Sequence, residues 1–516
     1  IFFAFLRFAC LALALAPILR LHREQMGPLV VAAVLCGALN FGVLFYGMSL
    51  TDNVAMVAIA SQLGMPFTTL LSIALLGEVV RWRRWLGIAL SFAGVMILGF
   101  DPRGIQAVLL SHAHIDHSGA LPVLAQQRFS GKVHLTRATA DLAAIMLQDA
   151  ARIQESDCLY VNKKERRRGK KCVAPLFDSD DVQAIVRRFV GTRYHDPIKI
   201  APRVTVSFHD AGHILGSAAI RVKYTARGNS TTVLFSGDLG RSHMPILRDP
   251  EPPPPCDILI LESTYGDRLH EQAGEEMKKK AQDLIAHARE HKSKIIVPAF
   301  AVGRTQELVM RIKELVGEGR VDPIPIYIDS PLAAKATEVF RHHPECYDEE
   351  TLKTFSSDGD LFASRYIHFI SSPEDSKRLN TMTGPMVIIS SSGMCEGGRV
   401  LHHLKHAIQD EANVIVFVGF QAEHTLGRKL VEGWDVVPIF GIPTQRKAQV
   451  VKFNGLSAHA DRNDLLAYVR AIDPLPEKIF VVHGEEKQAL SLGAAIQAEH
   501  AGVEVIIPRY EEAHDI

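Results

Sequence analysis

The sequence predicts an α/β fold: a two-sheet α/β sandwich, interrupted by a second α/β domain and preceded by about four apolar helices. Three observations predict it. Short apolar strands repeatedly run into a His, Asp or Glu: Val108–Leu110 before His112, Thr232–Phe235 before Asp238, Ile258–Leu261 before Glu262, and Val481-Val482 before His483. About two hundred residues separate Glu262 from the next such motif, which implies an inserted domain. Residues 1–100 are almost wholly apolar, whereas charges run throughout the rest. The expected divisions are 1–100, apolar helices; 101–267, first part of the sandwich; 268–450, insert; and 451–516, closing part of the sandwich.

Four apolar runs occupy the first segment: Phe2–Leu19, Leu29–Met48, Val54–Leu76 and Trp85–Phe100. Each approaches the ~17–25 residues of a spanning helix. Arg20 and Arg23 mark the first break as cytoplasmic, and Arg81, Arg83 and Arg84 the third. Thr51-Asp52-Asn53 then faces outside, and so does the end of the fourth run near Asp101. One apolar run would suffice for a signal peptide, and no cleavage site follows. The segment resembles one half of an EamA-type drug/metabolite transporter in Arg7-Phe8, in Ala55 to Pro66 with Gln62, in Leu76-Gly77-Glu78 and in Gly87 to Gly99. That family repeats a five-helix unit. With four helices and a start at Ile1, the resemblance implies a membrane-inserting fragment that does not transport.

Bulk properties narrow the rest. Lys plus Arg and Asp plus Glu each number 57, so the net charge is zero, and any nucleic-acid contact must come from a local patch. Lys163 to Lys171 is the main basic run. The seven Cys are scattered without a CxxC pair, which fits reduced thiols and argues against a disulfide scaffold or a Cys-ligated zinc.

Chemistry concentrates after Val108–Leu110, in Ser111-His112-Ala113-His114-Ile115-Asp116-His117-Ser118-Gly119. In an extended segment His112 and His114 point the same way. A turn then sends Asp116 and His117 toward a second point. Imidazole and carboxylate suit zinc, with manganese or iron as alternatives. His213 in Asp210–Ser217 and Asp238 in Ser236–Gly240 add ligands, as does His483 in Val481–Glu485. Asp238 is placed to bridge two ions. Two such cations polarise a shared water and stabilise a phosphoryl oxygen.

From about Ile105 onward these residues are similar to the metallo-β-lactamase superfamily. The resemblance implies an αββα sandwich. It implies that His112, His114, His213 and Asp238 hold one zinc and that Asp116, His117, Asp238 and His483 hold the other. Members begin with strands of roughly fifty residues before this loop. Here the apolar segment stands in their place, with the join near Phe100–Arg103, so the chain reads as a fusion or recombined fragment with an open sheet edge.

Glu262-Ser263-Thr264-Tyr265-Gly266 and Gly455-Leu456-Ser457-Ala458-His459-Ala460-Asp461, with the gap between them, resemble the beta-CASP nucleases. So do Pro298–Glu307, Asp329–Ala333, Ser390–Met394 and Gly427-Arg428. The resemblance implies that Glu262 orients His459, which protonates the leaving group; Asp116, Glu262 and His459 form the expected catalytic set. Ser391, Ser392 and Gly393, with Arg304 and Arg428, are expected to meet phosphates. In the resembled family the RNA-cutting members carry His at the place of His483, so the resemblance implies RNA over DNA as partner, with single-stranded RNA expected. His424 stands where relatives carry Gly. The expected function is two-zinc cleavage of RNA phosphodiester bonds in the cytoplasm, with endo- or exonucleolytic mode and oligomeric state open, a homodimer among the options. A thioesterase or lactonase of the same fold, and a transporter fragment with a soluble appendage, are the competing readings.

Overall fold

A computed structural model of the chain describes residues 104–166, 172–270, 274–419, 421–453, 457–509 and 512–514. The four apolar runs, the Phe100–Arg103 join and Arg167–Lys171 lie outside the described residues. Among the described residues, no helix is long and apolar enough to cross a membrane.

Two sheets and two helical layers build the sandwich. The first sheet is parallel and has three described strands, β1 (Ala107–Leu109), β2 (Lys132–Thr136) and β3 (Phe189–Thr192), with β1 at its edge. Val133 and Leu135 of β2 are fully buried under helices Arg137–Arg166 and Ser179–Val186, against Leu142, Leu147, Val182 and Ile185. The second of these helices starts cleanly, because Asp178 and Asp181 form a capping box.

The second sheet begins antiparallel with β4 (Ile198–Ala201), β5 (Val204–Asp210), β6 (Ala218–Ala226) and β7 (Asn229–Phe235), and turns parallel at β8 (Ile258–Glu262). Period-two alternation in β5 buries Val206, Phe208 and Asp210 on one face and leaves His209 on the other. Leu109 of the first sheet packs on the Phe208–Ile220 face. Among the described strands β1 stands at the edge of its sheet, and its three residues are only half-buried.

The chain then leaves the sandwich. Strands β9 (Lys294–Pro298), β10 (Ile326–Asp329), β11 (Ile367–Phe369), β12 (Met386–Ser390), β13 (Val414–Phe417) and, after the hairpin β14 (Val436–Ile439)–β15 (Ile442–Gln445), β16 (Gln449–Lys452) appear in turn. Apart from the hairpin they form one parallel sheet, ordered 11-10-12-9-13-16. β12 and β13 are buried at every position, which is why they read as unbroken apolar runs: helices cover both faces of a parallel sheet.

The chain returns as β17 (Lys478–Val482) and β18 (Glu504–Ile506), which complete a seven-stranded sheet ordered 18-17-8-7-6-5-4. Helices Arg462–Arg470 and Glu486–Glu499 cover its outer face through Leu465, Val469, Leu492 and Ile496. β17 pairs with β8 in register Val482↔Glu262, so the residues after both strands emerge side by side.

Candidate metal centre and cleft

Each candidate ligand sits where a strand stops. After β1, Leu110 N–H still donates to His134 O, and the chain turns through His112 and His114 into the single turn Ile115–Ser118. Ser118 Oγ donates back to Ala113 O and holds that turn closed. Ser111 Oγ lies 3.1 Å from His112 Nδ1 and leaves Nε2 for the site. After β5, Gly212 N–H donates to the Asp210 carboxylate and His213 N–H to Ser217 Oγ, which shapes the loop carrying His213. This loop touches the Asp238 loop backbone to backbone: a Cβ on Gly240 would lie 1.9 Å from Gly212 O, so only glycine fits there. After β17, His483 adopts a left-handed φ of 54°, and Thr264 Oγ1 donates to its carbonyl.

These elements bring all seven predicted ligands together. His114 Nδ1 is 3.1 Å from His112 Nε2 and 3.2 Å from His213 Nε2. His117 Nε2 is 3.1 Å from His483 Nε2, and Asp116 Oδ2 lies 3.7 and 3.6 Å from those two nitrogens. Asp238 stands between the two groups. Its Oδ2 faces His112 and His213 at 3.4 and 3.6 Å, and its Oδ1 faces His117 and His483 at 3.3 and 3.4 Å.

The electrostatics suit cations. Burial pushes His114 down to about 3, lowers His213 well below the ordinary histidine range, and lowers His112 against the pull of Asp238. Each neutral ring keeps one lone pair, so the nitrogens that meet as N–H···N pairs across 3.1–3.2 Å can turn those lone pairs to a positive ion. Asp238 Oδ1 is buried without a hydrogen-bond donor, a costly position that a cation would relieve. On the second side, the Asp116 carboxylate 3.6 Å away lifts His483 to about 9, and a cation there would take the place of that proton. The donor set fits two divalent ions with Asp238 shared.

Beside this centre, Glu262 is the last residue of β8 and is buried. Its carboxylate accepts from Leu239 N–H at 2.6 Å and Thr264 N–H at 3.3 Å, and His459 Nδ1 lies 3.3 Å from both oxygens. His459 is 3.9 Å from Asp238. Burial lowers its proton affinity, but Glu262 more than compensates, and the net shift is upward. The Asp of the same motif serves the helix that follows, where Asp461 forms a capping box with Asp464 at the start of Arg462–Arg470.

The centre opens into a cleft of about 690 Å³ between sandwich and insert, lined by His114, Asp116, His459, Ser391, Ser392 and Gly393 among others. Arg304 also lines it, but its Nη1 donates to Glu307 Oε2 at 2.7 Å, so its charge is largely matched. Arg428 is not among the cleft-lining residues, and its Nε donates to Glu432 at 2.6 Å. Three neighbours were not singled out from the sequence. His270 reaches the His459 carbonyl at 2.9 Å, Thr264 supports His483, and the Phe300 ring stands 45% exposed in the cleft. An aromatic ring between the strand end at Pro298 and Arg304 was the available signal for the last.

Known proteins match the chain segment by segment. Family models match at residues 86–288 (metallo-beta-lactamase superfamily), 305–430 (Beta-Casp domain), 444–508 (Zn-dependent metallo-hydrolase RNA specificity domain) and 1–100 (EamA-like transporter family). Ribonuclease TTHA0252 of Thermus thermophilus is 34% identical over 415 residues, which cover 80% of this chain and 89% of that protein. Transcription termination factor FttA of Methanocaldococcus jannaschii is 33% identical over 77% of this chain, and its Methanosarcina mazei counterpart 32% over 77%. The chain spans 61% of the length of each of these FttA proteins.

Proposed function

The chain belongs to the beta-CASP family of metallo-β-lactamase-fold hydrolases, and from that premise we propose that it cleaves RNA phosphodiester bonds with two zinc ions held on either side of Asp238. The observation that carries this reading is the two-sided Asp238 carboxylate, with one oxygen toward each ligand group. Such a pair of ions supplies a water of lowered pKa and positive charge for the phosphoryl oxygens.

The chain's own residues do the rest. His112, His114 and His213 stay neutral because they are buried, so their lone pairs remain available. Glu262 faces His459 Nδ1 and keeps a proton there, and His459, with its raised proton affinity, is the group that protonates the leaving oxygen. Ser391 to Gly393 line the cleft wall and would meet a phosphate, with Arg304 adding what charge Glu307 leaves it. Arg428 would reach RNA only beyond this cleft. Phe300 offers a face for a base. His at position 483 supports RNA over DNA, and the ribonuclease among the relatives supports it independently. We assign the nuclease part to the cytoplasm and residues 1–100 to a transporter-derived membrane segment.

Labelled single-stranded RNA offered beside a panel of thioesters and lactones tests the reading. Cleavage of RNA, abolished by chelation and restored by zinc, is expected. Ester hydrolysis with RNA left intact would replace this function with that of another metallo-β-lactamase-fold hydrolase.

A further inference from the structure

We propose that His195, His209 and Glu251 form a third, peripheral site for a borderline divalent cation, best suited to zinc. Their ligand atoms all lie within 4.8 Å of one another, in a group that shares no residue with those around Asp238. His195 Nε2 is 3.1 Å from Glu251 Oε1, and the two histidine rings stand edge to face with centroids 5.1 Å apart. Two imidazoles and one carboxylate make the set that holds zinc while leaving a coordination position for water.

The backbone pre-arranges this set. His209 lies on the half-buried face of β5, between Phe208 and Asp210. His195 N–H donates to Phe208 O at 2.8 Å, and Glu251 N–H donates to Asp210 O at 2.9 Å. Two distant segments are thus pinned to Phe208 and Asp210, the residues on either side of His209, which brings the three ligand side chains together. His195 is held at a φ of 68°, uncommon for a residue with a side chain. Ser207 Oγ lies 2.9 Å from His209 Nε2 and fixes the ring, as partners of metal-bound histidines do. The neighbouring cation, Arg221, donates from Nε to Pro255 O. A His195–Glu251 ion pair alone would not need His209, and that third group points to a ligand.

The position gives the site a consequence. The residue after His209 is Asp210, whose carboxylate holds Gly212 N–H and Arg248 at the start of the loop that delivers His213. A cation here would tie the 195 and 251 segments to the strand end from which that loop departs.

The full chain, stripped with a chelator and re-equilibrated with zinc, provides the test by elemental analysis. Three zinc ions per chain are expected in the unaltered protein. Two are expected in His209→Ala and in His195→Asn, the latter chosen because Asn tolerates a left-handed backbone and the side chain it replaces is exposed. Both variants should retain RNA cleavage. Asp238→Ala should keep the peripheral ion. An unchanged zinc count in folded His195→Asn and His209→Ala would overturn the proposal. One ion in the unaltered protein and none in those variants would sustain this site while refuting the two-zinc reading of the centre.

Discussion

His459 Nδ1 lies 3.3 Å from each carboxylate oxygen of Glu262, a residue 197 positions earlier in the chain. The contact joins the strand end of β8 to the segment that follows the insert. Glu262 is fixed from behind by Leu239 and Thr264 N–H groups, so it can orient the ring without moving. His459→Ala should therefore lower RNA cleavage by about 10²–10⁴-fold, the usual worth of general acid–base catalysis. Metal content should hold, because the ring is not one of the seven proposed ligands. Asp238→Ala should lose the metal of the centre and activity together. Elemental analysis beside cleavage rates checks both, and equal metal loss in the two variants would show that His459 is a ligand.

Asp329, fully buried at the end of β10, is the second prediction. Arg399 Nη1, His403 Nε2 and Ser376 Oγ all approach its carboxylate at 2.6 Å, and these hydrogen bonds hold it in the charged form below the ordinary carboxylate range, against the cost of burial. The next residue, Ser330, meets Ser391 Oγ at 3.0 Å, so the network fixes the turn that lines the cleft. Removing one member of a buried ion pair costs about 3–5 kcal/mol. Asp329→Ala should lower unfolding stability by that order in denaturant titrations, and Asp329→Asn by less. A loss under about 1 kcal/mol for the alanine variant would show that Arg399 and His403 find other partners.

What the sequence revealed follows from where chemistry meets periodicity. His112, Asp238, Glu262 and His483 each end or closely follow an apolar strand, so their convergence at one end of the sandwich was legible. So was the insert, from the distance between Glu262 and His459. Pairing was not legible. Arg304 read as a free cation, yet Glu307, one helical turn on, takes its charge. The support of His459 by His270 and of His483 by Thr264 depends on tertiary neighbours with no spacing rule. His195, His209 and Glu251 sit on three separate segments, and only the β5 hydrogen bonds unite them.

Phe300 carries the third prediction. Its ring lies against Gly393, where a Cβ would come within 3.1 Å of both Phe300 Cδ2 and its backbone nitrogen. The ring thus borders the Ser391–Gly393 turn while staying 45% exposed. A stacked base contributes about 1–3 kcal/mol, so Phe300→Ala should weaken single-stranded RNA binding by about 5–150-fold. The loss should disappear for an oligonucleotide that is abasic at the stacked position. An equal loss on intact and abasic RNA would show that the ring acts by shaping the cleft.

Asp210 makes the stability of the fold depend on pH. Burial raises this carboxyl from 3.8 to about 6, against the pull of Gly212 N–H and Arg248. A raised value means that the folded chain binds the proton more tightly than the unfolded chain. The contribution to stability is then full below about pH 4 and is lost as pH rises through about 6. Asp210→Asn cannot ionise and escapes that loss. Its melting temperature relative to the unaltered protein should rise between pH 4.5 and pH 7, since histidines that titrate in the same range act on both proteins and cancel in the difference. The size should be about 2 kcal/mol, because the whole shift is worth about 3 kcal/mol and part of it is already lost by pH 4.5. Paired thermal melts at the two pH values measure it. A difference that stays flat would place the Asp210 carboxyl in the ordinary range and transfer the hold on the His213 loop to its ion pair with Arg248.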